Sequence, residues 1–276
     1  MSGPDCLIFH KGRRIAAFSS AGQRCTNQHN QSFLTTGRMT ETVKPTFLIR
    51  VRTVLFYTLS ATLALPFLML LPGIVLPVSL TLGVTGFYLR LQLFLLRVVC
   101  GINYEVLGRE NLPKGPCLIA SQHESSWETL YFQVILGRPV MFAKKEVFGY
   151  PIIGLLSRRL GHIPIDRKGS ADSMRESFAA GREAAMKGRK LLIFPTGTRR
   201  QGLDQRVVVQ SGVGVLYQLV GQPVVPVLVN SGASWPASSL LKYPGKITVR
   251  ILPQIPEGLG RRVFLDRIGE ELNRVA

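Results

Sequence analysis

The sequence predicts an α/β protein with a mixed, largely parallel β-sheet flanked by helices, preceded by an N-terminal apolar helical hairpin in the membrane. Two observations lead to this prediction. From about Gly101 onward, short apolar runs typical of strands alternate with longer amphipathic runs typical of helices, which is the pattern of a sheet covered by helices. Before that point, residues 53–89 carry no charged side chain, and a straight membrane span needs only about 20 apolar residues.

The charge-free stretch is interrupted by helix-breaking residues. Pro72 and Gly73 form a turn signal near its middle, and Pro66 and Pro77 lie on either side. We therefore expect two short apolar helices joined as a hairpin rather than one long span. A buried helical hairpin of a soluble protein is the alternative interpretation.

Basic residues flank this hairpin, with Arg50 and Arg52 before it and Arg90 and Arg97 after it. Because positively charged flanks stay in the cytoplasm, both ends are expected on the cytoplasmic side of the inner membrane. Two full passes and a re-entrant wedge both satisfy this expectation. Residues 89–99 are expected to form an amphipathic helix at the membrane interface, since Arg90 and Arg97 share one face.

The remaining pattern resolves into individual elements and three regions. Candidate strands are residues 104–107, 117–121, 140–143, 162–165, 190–194, 224–229 and 247–252. Candidate helices are residues 127–136, 151–159, 173–187, 213–220 and 261–275. We expect a disordered polar tail (1–45), a membrane-associated hairpin with its interfacial helix (46–100) and the α/β domain (101–276). Met39 is a candidate alternative start of the mature protein.

The charge and cysteine content narrow the class of protein. The chain of 276 residues has a formal net charge of +18, so an acidic partner is expected. Nucleic acid, anionic lipid, a phosphorylated substrate and an acidic carrier protein all qualify. We expect no nucleic acid partner, because the sequence shows no nucleic-acid-binding motif and an apolar hairpin has no role there. The four cysteines are scattered without metal-ligand spacing, which predicts free thiols and no metal site.

A reactive histidine is predicted in the segment Ser-Gln-His-Glu-Ser-Ser-Trp-Glu at residues 121–128. His123 falls in a strand-to-helix turn, where scaffolds often present reactive side chains. Histidine can accept a proton near neutral pH, and a carboxylate such as Glu128 can orient it. The two can meet only if the chain turns between them, and Ser125 and Ser126 are suitable turn or capping residues. Taken alone, a surface turn with incidental charges explains the same pattern.

Three further segments place basic or hydrogen-bonding groups beside predicted strand ends: residues 144–151, 161–167 and 194–199. In open α/β sheets, ligands bind at the carboxyl ends of strands. The turn around Gly197 can offer backbone N–H groups, Thr198 a hydroxyl, and Arg167 and Arg199 guanidinium groups, which together suit a phosphate. Ordinary surface turns and ion pairs are the alternative explanation for each segment alone.

In order and spacing, the segments resemble the four blocks of the glycerolipid acyltransferase family, most closely its bacterial 1-acyl-sn-glycerol-3-phosphate (lysophosphatidic acid) acyltransferases. The resemblance covers residues 104–250 and the hairpin before them. The matching positions are His123 and Glu128 for the His-x4-Asp pair, 161–167 for the second block, 194–199 for Phe-Pro-Glu-Gly-Thr-Arg and 224–227 for the fourth block.

Two positions depart from the family pattern. Thr196 stands where the family usually has Glu, and Gln210 stands near where many members have Lys before a Gly, here Gly212. Both changes remove a charged group from the expected glycerol-phosphate site. They leave open an altered acceptor, reduced activity, or a site in which the remaining basic side chains suffice.

The resemblance implies an O-acyltransferase of phospholipid biosynthesis. Such an enzyme moves an acyl chain from acyl-CoA or acyl carrier protein to the free hydroxyl of 1-acylglycerol-3-phosphate, giving phosphatidic acid. It implies that His123 takes the hydroxyl proton, that Glu128 hydrogen-bonds the other ring nitrogen, and that no metal or bound cofactor is needed. The residues implied to bind the substrate phosphate are Lys145, Arg167, Thr196, Gly197, Thr198 and Arg199.

The implied partners are a lysophospholipid acceptor, an acyl-CoA or acyl carrier protein donor, and membrane lipids. Acylation of another lysolipid, such as a lyso-aminolipid, is one alternative, and a degenerate, non-catalytic membrane protein of the same fold is another. An acyl-enzyme route through Ser125 or Ser126 is disfavoured, because no Gly-x-Ser-x-Gly elbow surrounds them.

Overall fold

The structure, a computed structural model, describes residues 45–69, 77–166, 169–199 and 206–274, without the side chains of residues 68 and 69. Residues 1–44 of the predicted tail, including Met39, therefore lie outside the described residues. The predicted hairpin turn at Pro72 and Gly73 and the predicted ligand Arg167 lie outside them as well. The hairpin and the α/β domain belong to one compact unit.

The strands of the described residues form a single seven-stranded sheet. They are β1 (Ile102–Leu107), β2 (Leu118–Ser121), β3 (Val140–Lys144), β4 (Ile163–Ile165), β5 (Leu191–Ile193), β6 (Val224–Val229) and β7 (Gly245–Ile251). Their spatial order is β1-β7-β6-β2-β5-β3-β4, and every neighbouring pair is parallel except β6 and β7. The predicted strands and the predicted mixed, largely parallel sheet are confirmed.

The helices of the described chain are α1 (Phe47–Met69), α2 (Val78–Leu95), α3 (Ser126–Ile135), α4 (Pro151–Arg159), α5 (Ala171–Met186), α6 (Ser211–Val220) and α7 (Arg261–Asn273). Helices α3 to α7 are the predicted helices of the α/β domain, with slightly different bounds. Local sequence explains several starts. Ser125 caps α3, the hydroxyl of Ser170 accepts the Ser173 N–H (3.2 Å) at the start of α5, and Pro151 occupies the first position of α4.

The sheet is covered by helices on both faces. Successive side chains of a strand point to opposite faces, so Ile119 of β2 packs on one side while Leu118 and Ala120 pack on the other. The Ile119 side is shared with the hairpin and α3, through Phe56, Leu93, Leu96, Trp127 and Phe132. The opposite side is covered by α5, α6 and α7, through Phe178, Leu216, Phe264 and Ile268. The hairpin is thus part of the core of the described unit.

Helices α1 and α2 are the two arms of the predicted hairpin, and the Ser60 hydroxyl donates to Gln92 Oε1 (2.7 Å) between them. The segments Phe47–Phe67 and Val78–Cys100 are long and apolar enough to cross a membrane. Away from the core the hairpin exposes large apolar side chains, among them Phe87 (61% exposed) and Phe94 (59% exposed). Several large exposed apolar side chains on one hairpin indicate contact with a membrane or a partner.

The separate interfacial helix predicted for residues 89–99 is not found in this described part of the chain. Helix α2 continues without a break into a π-helical turn, Leu96–Cys100, and ends at Gly101 with φ +69°. The reason is packing, because Leu93, Leu96 and Cys100 are buried in the core that the hairpin shares with α3.

Candidate active site

The turn that carries His123 joins β2 to α3 at the carboxyl edge of the sheet, as the sequence predicts. Gln122 anchors this turn on two sides. Its side-chain nitrogen donates to the carbonyl of Leu272 on α7 (2.7 Å), and its side-chain oxygen accepts the N–H of Val229 at the end of β6 (3.0 Å). The neighbouring strand and helix α7 therefore fix the position of the histidine's backbone.

Helix α3 starts with a reciprocal cap, which confirms the predicted capping role of Ser125. Its hydroxyl oxygen accepts the N–H of Trp127 (2.9 Å), and its own N–H donates to both carboxylate oxygens of Glu128 (3.2 and 3.1 Å). The N–H of Glu124 donates to Glu128 Oε1 as well (2.9 Å). Such a capping box satisfies backbone donors that the first turn of a helix leaves open.

The predicted hydrogen bond between Glu128 and His123 is not formed in the structure. Among the described residues, the fully buried Glu128 carboxylate accepts from the N–H groups of Glu124 and Ser125 and from the hydroxyls of Ser125 (3.0 Å) and Ser231 (2.6 Å). The physical reason is reach. Glutamate is one methylene longer than the aspartate of the family pattern, so its carboxylate turns back onto the positive amino end of its own helix. Here it fixes the turn on which His123 stands.

Two opposing effects act on the protonation of Glu128. Burial raises the pKa of this carboxyl above its ordinary range, while the hydrogen bonds lower it, that of Ser231 first and the backbone N–H groups next. The donors favour the ionised form, and the dry surroundings screen its charge weakly. These hydrogen bonds make the Glu128 carboxyl a structural anchor of the turn.

The ring of His123 stacks on the ring of Phe194, with centroids 4.0 Å apart and planes inclined by 18°. Phe194 directly follows β5, the parallel neighbour of β2, so the two strand ends lie side by side. The Nδ1 atom of His123 is buried. The structure thus brings the His123 segment (residues 121–128) and the segment at residues 194–199 together.

The turn after Phe194 is short and its outer end is exposed. Gly197 has φ +71°, a conformation that glycine adopts without strain, and its N–H donates to the Phe194 carbonyl (2.9 Å). The Thr196 hydroxyl donates to the Thr198 carbonyl (2.7 Å). The Gly197 N–H that was expected to face a phosphate is therefore used inside the turn. The exposed side chains of Thr198 and Arg199 are the groups of this turn that remain available to a ligand.

The two positions that depart from the family pattern lie beside each other. The N–H of Gln210 donates to the carbonyl of Pro195 (3.0 Å), next to Thr196. Gln210 precedes α6 without capping it through its side chain. Both substitutions thus change the same small region, where two charged side chains of the family pattern are replaced by neutral ones.

Lys145 lies further along the same edge, directly after β3. Its ammonium is 3.5 Å from the carboxylate of Asp166, which directly follows β4, and the lysine side chain is 67% exposed. The strand order β2-β5-β3-β4 therefore lines up His123, Phe194, Lys145 and Asp166 along one edge of the sheet. The role of Lys145 as a phosphate ligand stays a prediction, and it would require the lysine to exchange its exposed ion pair for the substrate.

Sequence reasoning did not assign a role to Ser231 or Glu124. The Ser231 hydroxyl reaches Glu128 from a position 103 residues further along the chain, and Glu124 Oε2 accepts the N–H of Gly232 (3.0 Å). Both contacts tie the His123 turn to the segment after β6. The only sequence signal was the position of Asn-Ser-Gly directly after a predicted strand.

Comparison with known proteins shows which family this chain resembles. A family model described as Acyltransferase matches residues 103–230. The chain is 37% identical over 178 residues to the 1-acyl-sn-glycerol-3-phosphate acyltransferase of Pseudomonas aeruginosa, covering 64% of this chain and 69% of that one. It is 30% identical over 175 residues to the 1-acyl-sn-glycerol-3-phosphate acyltransferase alpha of Bos taurus, covering 62% and 61% of the two chains.

A solved structure shares the fold. The crystal structure of the 1-acyl-sn-glycerophosphate (LPA) acyltransferase PlsC from Thermotoga maritima superposes with a TM-score of 0.66 at 19% identity, over 81% of this chain and 92% of that chain. The 37% identity to the bacterial relative, over 69% of that protein's length, shows that the chain belongs to the acyltransferase family, among the 1-acyl-sn-glycerol-3-phosphate acyltransferases.

Proposed function

We propose that this protein transfers an acyl chain from a thioester donor to the free hydroxyl of 1-acylglycerol-3-phosphate, giving phosphatidic acid. The observation that carries the proposal is the His123 turn, in which a histidine at the carboxyl edge of the sheet stands on a scaffold held by a buried carboxylate. The bacterial and bovine relatives are named for the same reaction, which supports the proposal.

In the proposed reaction His123 acts as a general base. Because Nδ1 is buried, we assign Nε2 as the atom that takes the proton of the acceptor hydroxyl. The resulting alkoxide oxygen forms a bond to the thioester carbonyl carbon, and the carbon–sulfur bond breaks. The departing thiolate recovers the proton from the imidazolium, so that no proton is lost or gained overall. We propose that the reaction needs no cofactor beyond the acyl donor itself.

Glu128 supports this step by position and charge. Its hydrogen bonds to the turn hold the backbone of His123, and its buried negative charge favours the imidazolium that forms during the reaction. Catalytic hydrogen bonds often tighten only in the substrate complex. A direct bond from Glu128 to His123 is therefore compatible with the substrate complex. The bonds of Glu128 to the N–H groups of Glu124 and Ser125 already exist without substrate.

The acceptor phosphate is proposed to bind at the outer end of the same edge. Arg199 and Thr198 are exposed next to Phe194, Lys145 follows β3, and Arg167 follows β4 in sequence. A guanidinium offers paired donors to a phosphate, and a lysine offers a point charge. The phosphate would then lie at the edge while the hydroxyl of the same molecule reaches His123.

The membrane and the acyl donor complete the proposal. The exposed apolar faces of α1 and α2 are proposed to contact lipid, from which the acceptor enters, with the α/β domain on the cytoplasmic side of the inner membrane. The net charge of +18 suits either acyl-CoA or acyl carrier protein, since both donors are acidic.

Thr196 is the observation that favours a second candidate, acylation of a different lysolipid. It removes a carboxylate from the expected acceptor site, and Gln210 beside it removes a lysine. A changed headgroup, for example that of a lyso-aminolipid, would account for both changes at once.

The test is an acyl-transfer assay with the full-length protein in detergent, radiolabelled acyl-CoA or acyl carrier protein, and a panel of lysolipids. We expect the highest rate on lysophosphatidic acid. Inactivity on every lysolipid with both donors, in a preparation that is folded by circular dichroism, would contradict the proposed function. Preference for another lysolipid would select the second candidate.

A further inference from the structure

The structure contains a lysine with no exposed surface, Lys242, in the loop that precedes β7. Lysine is almost never fully buried unless it is paired. None of the ion pairs between described residues involves Lys242. The cost of removing this ammonium from water must therefore be offset by other contacts, and the position of those contacts shows what the lysine joins.

The contacts come from two parts of the molecule. The ammonium lies over the ring of Trp235 in the α/β domain (4.0 Å to the centroid) and near the ring of Tyr57 on α1 (5.0 Å), a cation–π arrangement. It also donates to the Tyr57 hydroxyl (2.8 Å) and to the carbonyl of Leu240 (2.7 Å). The Lys242 backbone N–H donates to the hydroxyl of Thr53, again on α1 (3.0 Å). Moving either α1 or the α/β domain away from these contacts would expose the Lys242 ammonium to water.

These groups around Lys242, from Trp235, Tyr57, Leu240 and Thr53, form a cage. The cage is connected to the His123 turn by hydrogen bonds. The N–H of Trp235 donates to the carbonyl of Ser231 (2.8 Å), and the hydroxyl of the same serine donates to Glu128 (2.6 Å). The N–H of Tyr243, next to Lys242, donates to the carbonyl of Ser234 (2.9 Å). The loop that receives the lysine is thus the loop that delivers Ser231 to Glu128.

The ring contacts of Trp235 extend the same connection. Its ring meets Phe56 of α1 and Tyr131 of α3 edge-on, at centroid distances of 6.4 Å in both cases. Helix α3 is the helix that Ser125 and Glu128 cap. A shift of α1 would therefore change the surroundings of Trp235 through two contacts, those with Phe56 and with the Lys242 ammonium.

We propose that Lys242 is a positioning residue that couples the seating of helix α1 on the α/β domain to the geometry of the His123 turn. The inference rests on the proposed acyl transfer at His123. In this arrangement the hairpin that contacts lipid also completes the cage, so that the catalytic turn has its working geometry when the hairpin is seated. Lysine suits this coupling because an exposed ammonium is strongly hydrated. The ammonium therefore stays in the cage only while both α1 and the α/β domain cover it.

Burial lowers the pKa of Lys242 to about 8, which is still above neutral pH. The side chain therefore remains charged at neutral pH. Methionine at this position would keep a similar flexible stem without the charge, which makes it the informative substitution.

The test compares Lys242→Met with Lys246→Met, a lysine four positions on that is 60% exposed and paired with Glu105. Both full-length variants are assayed in mixed micelles that contain phosphatidylglycerol. We expect Lys242→Met to lower kcat by roughly 10-fold to 100-fold, the scale on which small misplacements of catalytic groups act, with unchanged KM for the acyl donor. Lys246→Met should match wild type. Lys242→Arg, which keeps a cation in the cage, should recover part of the loss.

Fluorescence separates positioning from general damage, because the chain has two tryptophans and one of them forms the cage. The emission of Lys242→Met should differ from that of wild type, while Lys246→Met should not change it. If Lys242→Met does not fold, Tyr57→Phe serves instead, since it removes only the hydroxyl that accepts from the ammonium. It should lower kcat in the same direction by a smaller factor.

A double-mutant cycle with Ser231→Ala tests the connection itself. If Lys242 acts through Ser231, the double variant should lose less activity than the product of the two single losses. Independent, multiplicative losses would overturn the proposal, as would wild-type kcat in Lys242→Met. An inactive wild-type protein would instead overturn the proposed function and this inference with it, so the two failures are distinguishable.

Discussion

Two turns meet at the carboxyl edge of the sheet, and they differ in how much of their geometry exists before a substrate arrives. In the turn of His123, the Glu128 carboxylate is fully buried and accepts hydrogen bonds from backbone and hydroxyl groups, one of them from Ser231 far along the chain. In the turn after Phe194, the side-chain hydrogen bond of Thr196 stays within the turn, and Arg199 is exposed.

The difference between the two turns matches two roles, proton transfer at His123 and capture of a charged substrate at Arg199. A proton-transfer group gains from being held in place in advance, because reorganisation during the reaction is then small. A side chain that captures a charged substrate can remain hydrated until the substrate displaces the water. Changes in the first turn should therefore act mainly on kcat, and changes in the second mainly on the KM of the acceptor. Substitutions in each turn test this division.

The largest effect is expected for His123→Ala. Loss of a general base costs on the order of 10²–10⁴ in rate, and we expect kcat to fall by that factor while the protein stays folded and membrane-bound. The measurement is the acyl-transfer rate of variant and wild type at saturating substrates. Wild-type turnover in the variant would show that His123 is not the base.

His162 supplies a matched control for this experiment. Its Nδ1 accepts the N–H of Met141 (3.1 Å), and burial together with the charge of Arg189 lowers its pKa to about 4. It is therefore neutral at the pH of the assay and lies before β4, at the other edge of the sheet. His162→Asn should reduce stability, measured by thermal unfolding, with little effect on kcat.

The next effect concerns Glu128. In Glu128→Gln one acceptor oxygen becomes an NH2 donor that faces the donors of Ser125, Glu124 or Ser231, and a buried unsatisfied group costs about 1–3 kcal/mol. We expect kcat to fall roughly 10-fold to 100-fold, which corresponds to about 1.4–2.7 kcal/mol of that cost appearing in the activation barrier. Glu128→Asp keeps two acceptor oxygens and the family's usual carboxylate, so it should retain more activity. Equal losses in both would indicate that the length of the side chain matters more than its charge.

The sequence predicted this edge only in part, and the reason is the range of each interaction. Periodicity and turn residues are local signals, and they predicted the strands, the helices of the α/β domain and the cap at Ser125. The bond from Ser231 to Glu128 and the burial of Lys242 depend on contacts distant in sequence. The expected bond between Glu128 and His123 rested on the nearby carboxylate and on the family pattern, and it is absent here because the longer side chain caps its own helix.

The hairpin shows the same limit. The absence of charge predicted two apolar arms, and both are present in α1 and α2. The arginines at 90 and 97 predicted a separate interfacial helix, since their spacing indicates one face. The structure gives a continuous helix, because burial of Leu93 and Leu96 in the shared core decides the path of the chain. Charge spacing describes the outer face of a helix and does not show where the helix ends.

A smaller effect, on KM rather than kcat, is expected for Arg199→Ala. Hydrogen bonds that involve a charged group are worth about 1.5–3 kcal/mol, but Arg199 is exposed and solvent screening reduces the effect. We expect the acceptor KM to rise about 10-fold, the lower end of that range, with the donor KM unchanged. Arg262→Ala, an exposed arginine on α7, is the control. An unchanged acceptor KM in Arg199→Ala would remove this arginine from the phosphate site.

The smallest and most informative change is Thr196→Glu, which restores the residue of the family pattern. Among the described residues, the Thr196 hydroxyl bonds to the Thr198 carbonyl within the turn, and position 196 is partly exposed, so a longer side chain can be accommodated without disturbing β5. If the acceptor is lysophosphatidic acid and Thr196 is a neutral replacement, the variant should equal or slightly exceed wild type on that lipid. If Thr196 marks a different acceptor, the variant should lose activity on the native lysolipid and gain on lysophosphatidic acid. The two rates are measured side by side on both lipids for both proteins. We expect the first result, because Arg199 remains at the edge and a phosphate is the group that its guanidinium fits.

Because Gln210 adjoins the same turn, Gln210→Lys should be combined with Thr196→Glu. A gain that appears only in the double variant would show that the two departures act as a pair.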